Sequence, residues 1–351
     1  MKEKENARQV RWLPTLAIVI AVSGAVVIIR NPSLLKAQSS LNLVYVESNI
    51  GSTSNSNSVL GFSNVGGTLS PVTGSPWLTG GTGVYDPGQV KGFTEFDADQ
   101  QVIITPQNFL YAVNGHTNSF SGFSINTTTG ALTALAGSPF KSGGSDPVSL
   151  AYLSNIYTGQ KSWLGVVNKG RDPNQNNAAP NINVFRVDNS TGVPTGVAGG
   201  TITLVSGTSP SQLITATGAP AQRQFWAFLD QYRTAGSSTA GLYSYQVLGN
   251  ATLKAVNFAA DPTDPATLGL ASNPSYRVIY AGLPTLNEVA VFTYDADTGQ
   301  VTFNNAVANP GNGVGWLAVG PVTQAGRFLY TSGSRAPGPS RSTKYNPMAS
   351  R

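Results

Sequence analysis

The chain has 351 residues, of which 11% are charged, under half the roughly 25% usual in soluble domains. Its formal net charge of +5 is unevenly spread: residues 1–37 and 335–351 each carry +4, leaving the body between them at −3 with no basic stripe. Nucleic acid is therefore excluded as a partner of the folded part. Cysteine is absent and His116 is the one histidine, which excludes disulfides, thiol chemistry, cysteine zinc sites and multi-histidine centres. Neither a metal nor an organic cofactor is expected.

The first 11 residues carry four basic groups, and residues 12–29 (WLPTLAIVIAVSGAVVII) are 18 residues without a charge. As a helix rising about 1.5 Å per residue, that stretch is roughly 27 Å long, the thickness of a bilayer core. The positive-inside bias leaves residues 1–11 in the cytoplasm and sends the rest across. The sequence thus predicts one N-terminal hydrophobic helix over 12–30, read as an uncleaved anchor, and a linker over 31–40. Leu35-Lys36-Ala37 is a loose fit to a cleavage site. The protein is expected outside the cytoplasm, periplasmic, at the cell surface or secreted, with the membrane met through this helix alone.

From 41 to 333 no helical periodicity is evident, and short β-branched and aromatic runs alternate with Gly, Asn, Ser, Thr and Pro clusters. One strand type recurs six times: LVYVES (43–48), FLYAVNG (109–115), WLGVVNKG (163–170), FWAFLDQ (225–231), VIYAGL (278–283) and FLYTSG (328–333). Aligned on Tyr45, Tyr111, Gly165, Ala227, Tyr280 and Tyr330, the spacings are 66, 54, 62, 53 and 50. After each of the first five copies come a loop, a second strand and a tight turn (GGT 66–68, TTTGA 127–131, NSTGV 189–193, GNAT 249–252, DADTGQ 295–300), where Gly or Asn supplies the positive φ of a hairpin. Inner strands are read at PVSLAYL (147–153), PSQLITA (210–216) and VGWLAVG (314–320). Four short antiparallel strands per unit of about 50 residues make a β-propeller blade, which buries its faces against its two neighbours. A β-sandwich is the runner-up, and it leaves the recurrence unexplained.

The stretch LYAVNG…FSGFSINTTTGALTALAGSPF…DPVSLAYL resembles the repeat of the lactonase-type seven-bladed propellers, which include 6-phosphogluconolactonase-like proteins and YVTN-repeat surface proteins. The resemblance implies an all-β propeller of four-stranded blades, five to six of them present out of seven. The sixth unit offers an inner strand and FLYTSG, and then the tail 334–351, with Pro337, Pro339, Pro347 and four basic residues, reads as a strandless disordered basic segment. Such a stack would expose an open blade edge capable of self-association.

The loops between second and third strands and those joining blades emerge on one face, and this loop face is the candidate site for a small molecule or an extracellular protein or polysaccharide. On it or near it lie His116, Glu95 and Arg171 as candidate catalytic groups and Lys169, Asp172 and Arg233 as candidate ligand-binding groups. His116 suits proton transfer near neutrality, although its neighbours Asn114-Gly115 read as a turn and make it first an exposed turn histidine. Lactonase enzymes carry histidines beside the proline or glycine that opens the inner strand. Here those places read Asp146-Pro147-Val148, Ser209-Pro210-Ser211 and Gly313-Val314-Gly315, so a mechanism would fall back on Glu47, Glu95, Arg171 or Arg223.

Asp295-Ala296-Asp297 is taken as turn chemistry rather than a calcium loop, and Trp163, Trp226 and Trp316 as blade-packing residues. The sequence favours a binding or interaction scaffold; the alternative is a hydrolase of a small anionic lactone, in which an arginine holds the anion and His116 or Glu95 activates water. A remnant of a longer gene is the third reading.

Overall fold

The computed structural model describes residues 42–85, 101–157, 161–175, 178–218, 224–232, 240–262, 266–311, 313–320, 328–333 and 341–344, with Val19–Val22 and Ala25–Ile28 before them. Every regular element among these is a strand. Residues 1–40 form a unit distinct from 41–351. In the first, Val19–Val22 pairs antiparallel with Ala25–Ile28. These eight residues are extended where a helix was expected, in keeping with the strand preference of Val and Ile, and the rest of 12–30 lies outside the described residues. Among the described residues no helix is long and apolar enough to cross a membrane.

The second unit is a succession of antiparallel sheets, one per sequence repeat. Blade 1 holds Asn42–Glu47, Ser58–Val65, Thr68–Pro71 and Trp77–Leu78. Blade 2 runs Val102–Ile104, Phe109–Asn114, Ser119–Ile125 and Leu132–Ala134, with Phe140–Lys141 also paired to its third strand. Blade 3 is Pro147–Tyr157, Lys161–Asn168, Asn181–Asp188 and Pro194–Thr203. Blade 4 is Ser209–Thr217, Phe225–Tyr232, Gly241–Val247 and Leu253–Ala260. Blade 5 is Leu268–Asn273, Val278–Leu283, Glu288–Tyr294 and Val301–Ala308. Blade 6 is Val314–Val319, Phe328–Gly333 and Arg341–Lys344.

The first strands of blades 2 to 6 lie against one another in order, as the inner strands of a propeller must. Phe109–Asn114 and Val278–Leu283 are buried at every position because a neighbouring blade covers each face. The apolar core is correspondingly divided into five clusters, one at each junction from blades 1 and 2 to blades 5 and 6.

A repeated polar latch accompanies this packing. A ring from the first strand of blade 1, or from the second strand of blades 2 to 4, donates to a backbone carbonyl in the outer hairpin turn of the next blade. Tyr45 OH reaches Gly130 O at 2.6 Å, Tyr111 OH reaches Gly192 O at 2.5 Å, Trp163 Nε1 reaches Ala251 O at 3.0 Å and Trp226 Nε1 reaches Ala296 O at 3.1 Å. Buried carbonyls need partners, so each latch satisfies a turn that its own blade leaves open. Blade 3 has Gly165 where blades 1 and 2 have the latching tyrosine, and a Cβ there would come within 2.4 Å of the Trp163 ring. The indole takes the space that the missing side chain frees.

Two expectations change. Arg341–Lys344 pairs with Phe328–Thr331, so the tail is not strandless: an outer strand needs only backbone pairing, and charged residues suit an edge. Trp316 is 39% exposed, not a packed blade residue, and Tyr330 in the same blade is 45% exposed. At the other end of the stack Val46, Leu69 and Leu78 of blade 1 are exposed too.

Candidate active site

The second strand of blade 2 ends at Asn114 and that of blade 3 at Asn168, and the loop after each carries the site. Asn114 is buried and saturated: its oxygen accepts from Asn57 at 3.0 Å and Thr79 at 2.6 Å, and its amide donates to Ser121 Oγ at 2.9 Å. It anchors the loop rather than turning it, and the left-handed residue of the loop is Asn118. Gly115 is required for another reason: a Cβ there would meet Val84 Cγ2 at 2.5 Å. This close approach lets the His116 N–H donate to Thr82 O at 3.1 Å, fixing the imidazole beside the incoming loop of blade 3.

That loop brings Asp172. His116 Nδ1 lies 2.6 Å from Asp172 Oδ2, with the side chains 39% and 1% exposed. The carboxylate is held from its other oxygen, which accepts from Asn174 N at 2.8 Å and Asn174 Nδ2 at 3.2 Å. A carboxylate facing Nδ1 favours the tautomer with its proton on that nitrogen, which in a neutral ring turns the Nε2 lone pair away from Asp172. Gln175 closes the loop pair: its amide donates to the His116 carbonyl, and its oxygen accepts from Asn118 Nδ2 at 3.0 Å. Asn174 Nδ2 also donates to Tyr85 O at 2.5 Å, so the blade 1 to blade 2 connection joins the same cluster.

Asp146, in the connection from blade 2 to blade 3, is buried behind the pair. Its N–H donates to Asn118 Oδ1 at 2.9 Å, its carbonyl accepts from Lys169 N at 2.8 Å and its Oδ2 from Arg171 N at 3.3 Å. Burial pushes its carboxyl up to about 6, against the opposing pull of Lys169 and with the help of the Asp172 charge.

His116 and Asp172, assigned separately to chemistry and binding in the sequence reading, are thus one pair, and His116 is no plain turn residue. Lys169 is buried beside Asp146. The Arg171 guanidinium points to the blade 3 to blade 4 connection, donating to Gly207 O at 3.4 Å. Glu95, Arg223 and Arg233 lie outside the described residues. Glu47 is buried, accepts from Asn57 Nδ2 at 2.7 Å, and has its carboxyl pushed well up by burial; it braces blade 1. Asp230 does the same further round: its Oδ1 accepts from Ser211 N and Gln212 N in its own blade, and its Oδ2 from Gly269 N of blade 5 at 3.1 Å. Asp295 accepts from Asp297 N at 2.9 Å and Thr298 N at 2.8 Å, the turn chemistry expected of it. No group of three or more His, Asp or Glu side chains among the described residues is placed to hold a metal ion.

No protein-family model matches the sequence, and no curated protein matches it as a relative. Solved structures do resemble the fold. A candidate 6-phosphogluconolactonase from Bacteroides uniformis superposes with a TM-score of 0.58 at 13% identity, over 83% of this chain and 74% of that one. A protein from Lactobacillus plantarum gives 0.55 at 15% identity, over 80% and 72%. The periplasmic gluconolactonase of Pseudomonas aeruginosa gives 0.50 at 16% identity, over 76% and 67%. The chain is a β-propeller. At these identities the likeness is one of fold.

Proposed function

We propose that the protein hydrolyses a small lactone at the loop face of blades 2 and 3, with His116 as general base and Asp172 as the group that orients it. The observation that carries this reading is the 2.6 Å contact between Nδ1 of the part-exposed His116 ring and the buried Asp172 carboxylate. In the reaction water adds to the lactone carbonyl as His116 Nε2 takes its proton. The tetrahedral adduct then expels the ring oxygen, and the imidazolium returns the proton to it, giving the hydroxy acid. Asp172 stabilises the imidazolium between the two steps, as a buried carboxylate beside a catalytic histidine does. The names of two of the similar structures, a candidate 6-phosphogluconolactonase and a gluconolactonase, support lactones as the first substrates to try.

The test is hydrolysis of glucono-δ-lactone by the purified chain above the spontaneous rate. His116→Asn and Asp172→Asn are expected to remove the excess; full activity in both refutes the mechanism. One observation favours the second reading, a binding scaffold without chemistry: much of the polar surface around His116 is already committed to loop-to-loop hydrogen bonds. In that case the lactone rate stays at background while a ligand still protects the loops. The place of action proposed is outside the cytoplasm, on the strength of the uncharged segment 12–29 behind its basic residues, and a reporter enzyme fused after residue 351 checks it.

A further inference from the structure

We infer that Asp146 is a positioning residue for the His116–Asp172 pair, holding the two site loops together and placing a second negative charge beside them. As a role in catalysis the inference rests on the reading of the pair as a general base; as an electrostatic coupling it does not.

Asp146 immediately precedes Pro147 and is held in the left-handed region at φ 56°. Few non-glycine residues adopt that conformation, and here the surroundings hold it. They do so from both loops: Asn118 of the blade 2 loop takes its N–H, while Lys169 and Arg171 of the blade 3 loop donate to its carbonyl and its Oδ2. Asn118 continues the link through its amide to Gln175, which holds the His116 carbonyl. Asp146 is therefore the point at which the imidazole's loop and the carboxylate's loop are tied.

Its other oxygen has no such task. Asp146 Oδ1 is fully buried and without a hydrogen-bond partner, and it lies toward Gly115, where a Cβ would come within 3.1 Å of it. An unsatisfied carboxylate oxygen is costly in a protein interior, and here it sits behind the residue that precedes the histidine. The charges bearing on it are Lys169 and Asp172 of the blade 3 loop, Arg171 reaching it through its backbone N–H alone, and Asp172 in turn faces His116 of the blade 2 loop. When Asp146 is ionised, its charge joins that of Asp172 in favouring the imidazolium that forms as His116 takes a proton. When Asp146 is protonated that support is gone, although the backbone ties remain.

Because His116 is the only histidine, its ring protons give one resolved NMR signal that reports the pair directly. In the wild-type chain the signal is expected to carry an inflection near pH 6 that belongs to Asp146. Asp146→Asn, which keeps an acceptor for Arg171 N, should show one inflection fewer. The same number of inflections in the wild type and the variant overturns the inference whether or not the protein turns over lactones. Where it does, Asp146→Asn should lower kcat with KM little changed and remove one proton from the acid limb of the pH profile. Asp146→Ala, which also breaks the tie, should lose up to about 100-fold in kcat/KM, as misplacement of a catalytic group by around 1 Å does. An Asp146→Asn limb as steep as the wild type's counts against it. The Asp146 inflection without lactone hydrolysis would refute the proposed reaction and leave the coupling standing.

Discussion

Tyr111 offers the cleanest measure of what joins one blade to the next. Its ring is fully buried in the junction of blades 2 and 3 and its hydroxyl donates to Gly192 O at 2.5 Å. Tyr111→Phe removes one oxygen and leaves the carbonyl unpaired, with little change in packing. An orphaned buried acceptor costs about 1–3 kcal/mol; a cost of about 2 kcal/mol, set against an unfolding entropy of about 2.1 cal/mol/K per residue over roughly 300 residues, lowers Tm by about 3 °C. Differential scanning calorimetry reads this directly, with Tyr276→Phe as the control, since that tyrosine is half exposed and surface changes stay within about 0.5 kcal/mol. Burial also pushes the Tyr111 hydroxyl well above its ordinary value near 10. The stability it contributes is therefore complete below pH 10 and is lost as pH rises beyond that, so the variant should show a shallower alkaline decline. If Tyr111→Phe melts within 1 °C of the wild type, roughly a third of the expected shift, the latch is a geometric coincidence and the blades cohere through apolar packing alone.

Three further outcomes follow from other parts of the molecule. Asp172→Asn should reduce lactone hydrolysis by up to about 10⁴-fold, as replacing the carboxylate that orients a catalytic histidine does, while leaving the melting temperature close to wild type because Asn174 can still donate to the remaining oxygen; steady-state kinetics and a melt on the same sample check both halves. Gly115→Ala forces a methyl against Val84 and should cost about 1–3 kcal/mol, with the His116 signal shifted in the same NMR spectrum; a neutral substitution would show that the loop yields easily. Asp146 and Asp230 both have carboxyls raised to about 6 by burial, so the folded state holds protons that the unfolded chain releases. Stability from these groups is full below about pH 4 and lost as pH climbs to 6. Calorimetry should find the protein more stable at pH 4.5 than at pH 7, and Asp230→Asn should flatten the difference.

The parts of this fold that were legible in the sequence are those governed by local chemistry. VIYAGL and FLYTSG coincide with the strands Val278–Leu283 and Phe328–Gly333, and the glycine of TTTGA, Gly130, has the positive φ its turn demands. Burial on both faces erases alternation and leaves continuous apolar runs, which is why the second strand of each blade was the easiest to see. Arg341–Lys344 was missed because an outer strand is specified by its partner's backbone rather than by its own side chains. The leader expectation rests on the uncharged stretch 12–29 and the basic residues before it, and neither signal fixes whether the stretch is helical or extended.

His116 and Asp172 were both legible as loop-face candidates, but their pairing was not, for a different reason. His116 and Asp172 are 56 residues apart, and no spacing rule connects two loops of that separation. The repeat itself does connect them: Asn114 and Asn168 end the second strands of successive blades, so aligning the units by those asparagines brings the two loops side by side, with the histidine two residues past one and the aspartate four residues past the other. A propeller fixes where its loops meet, not which residue each supplies. The place before the strand-opening proline, where a histidine was sought, holds Asp146 instead, and the imidazole reaches the same junction from the neighbouring blade's loop. The absence of histidine at that place therefore does not argue against chemistry at the junction, because Asp146 joins the His116–Asp172 pair through Asn118, Lys169 and Arg171. What decides the question is whether the purified chain hydrolyses a lactone and loses that activity in His116→Asn.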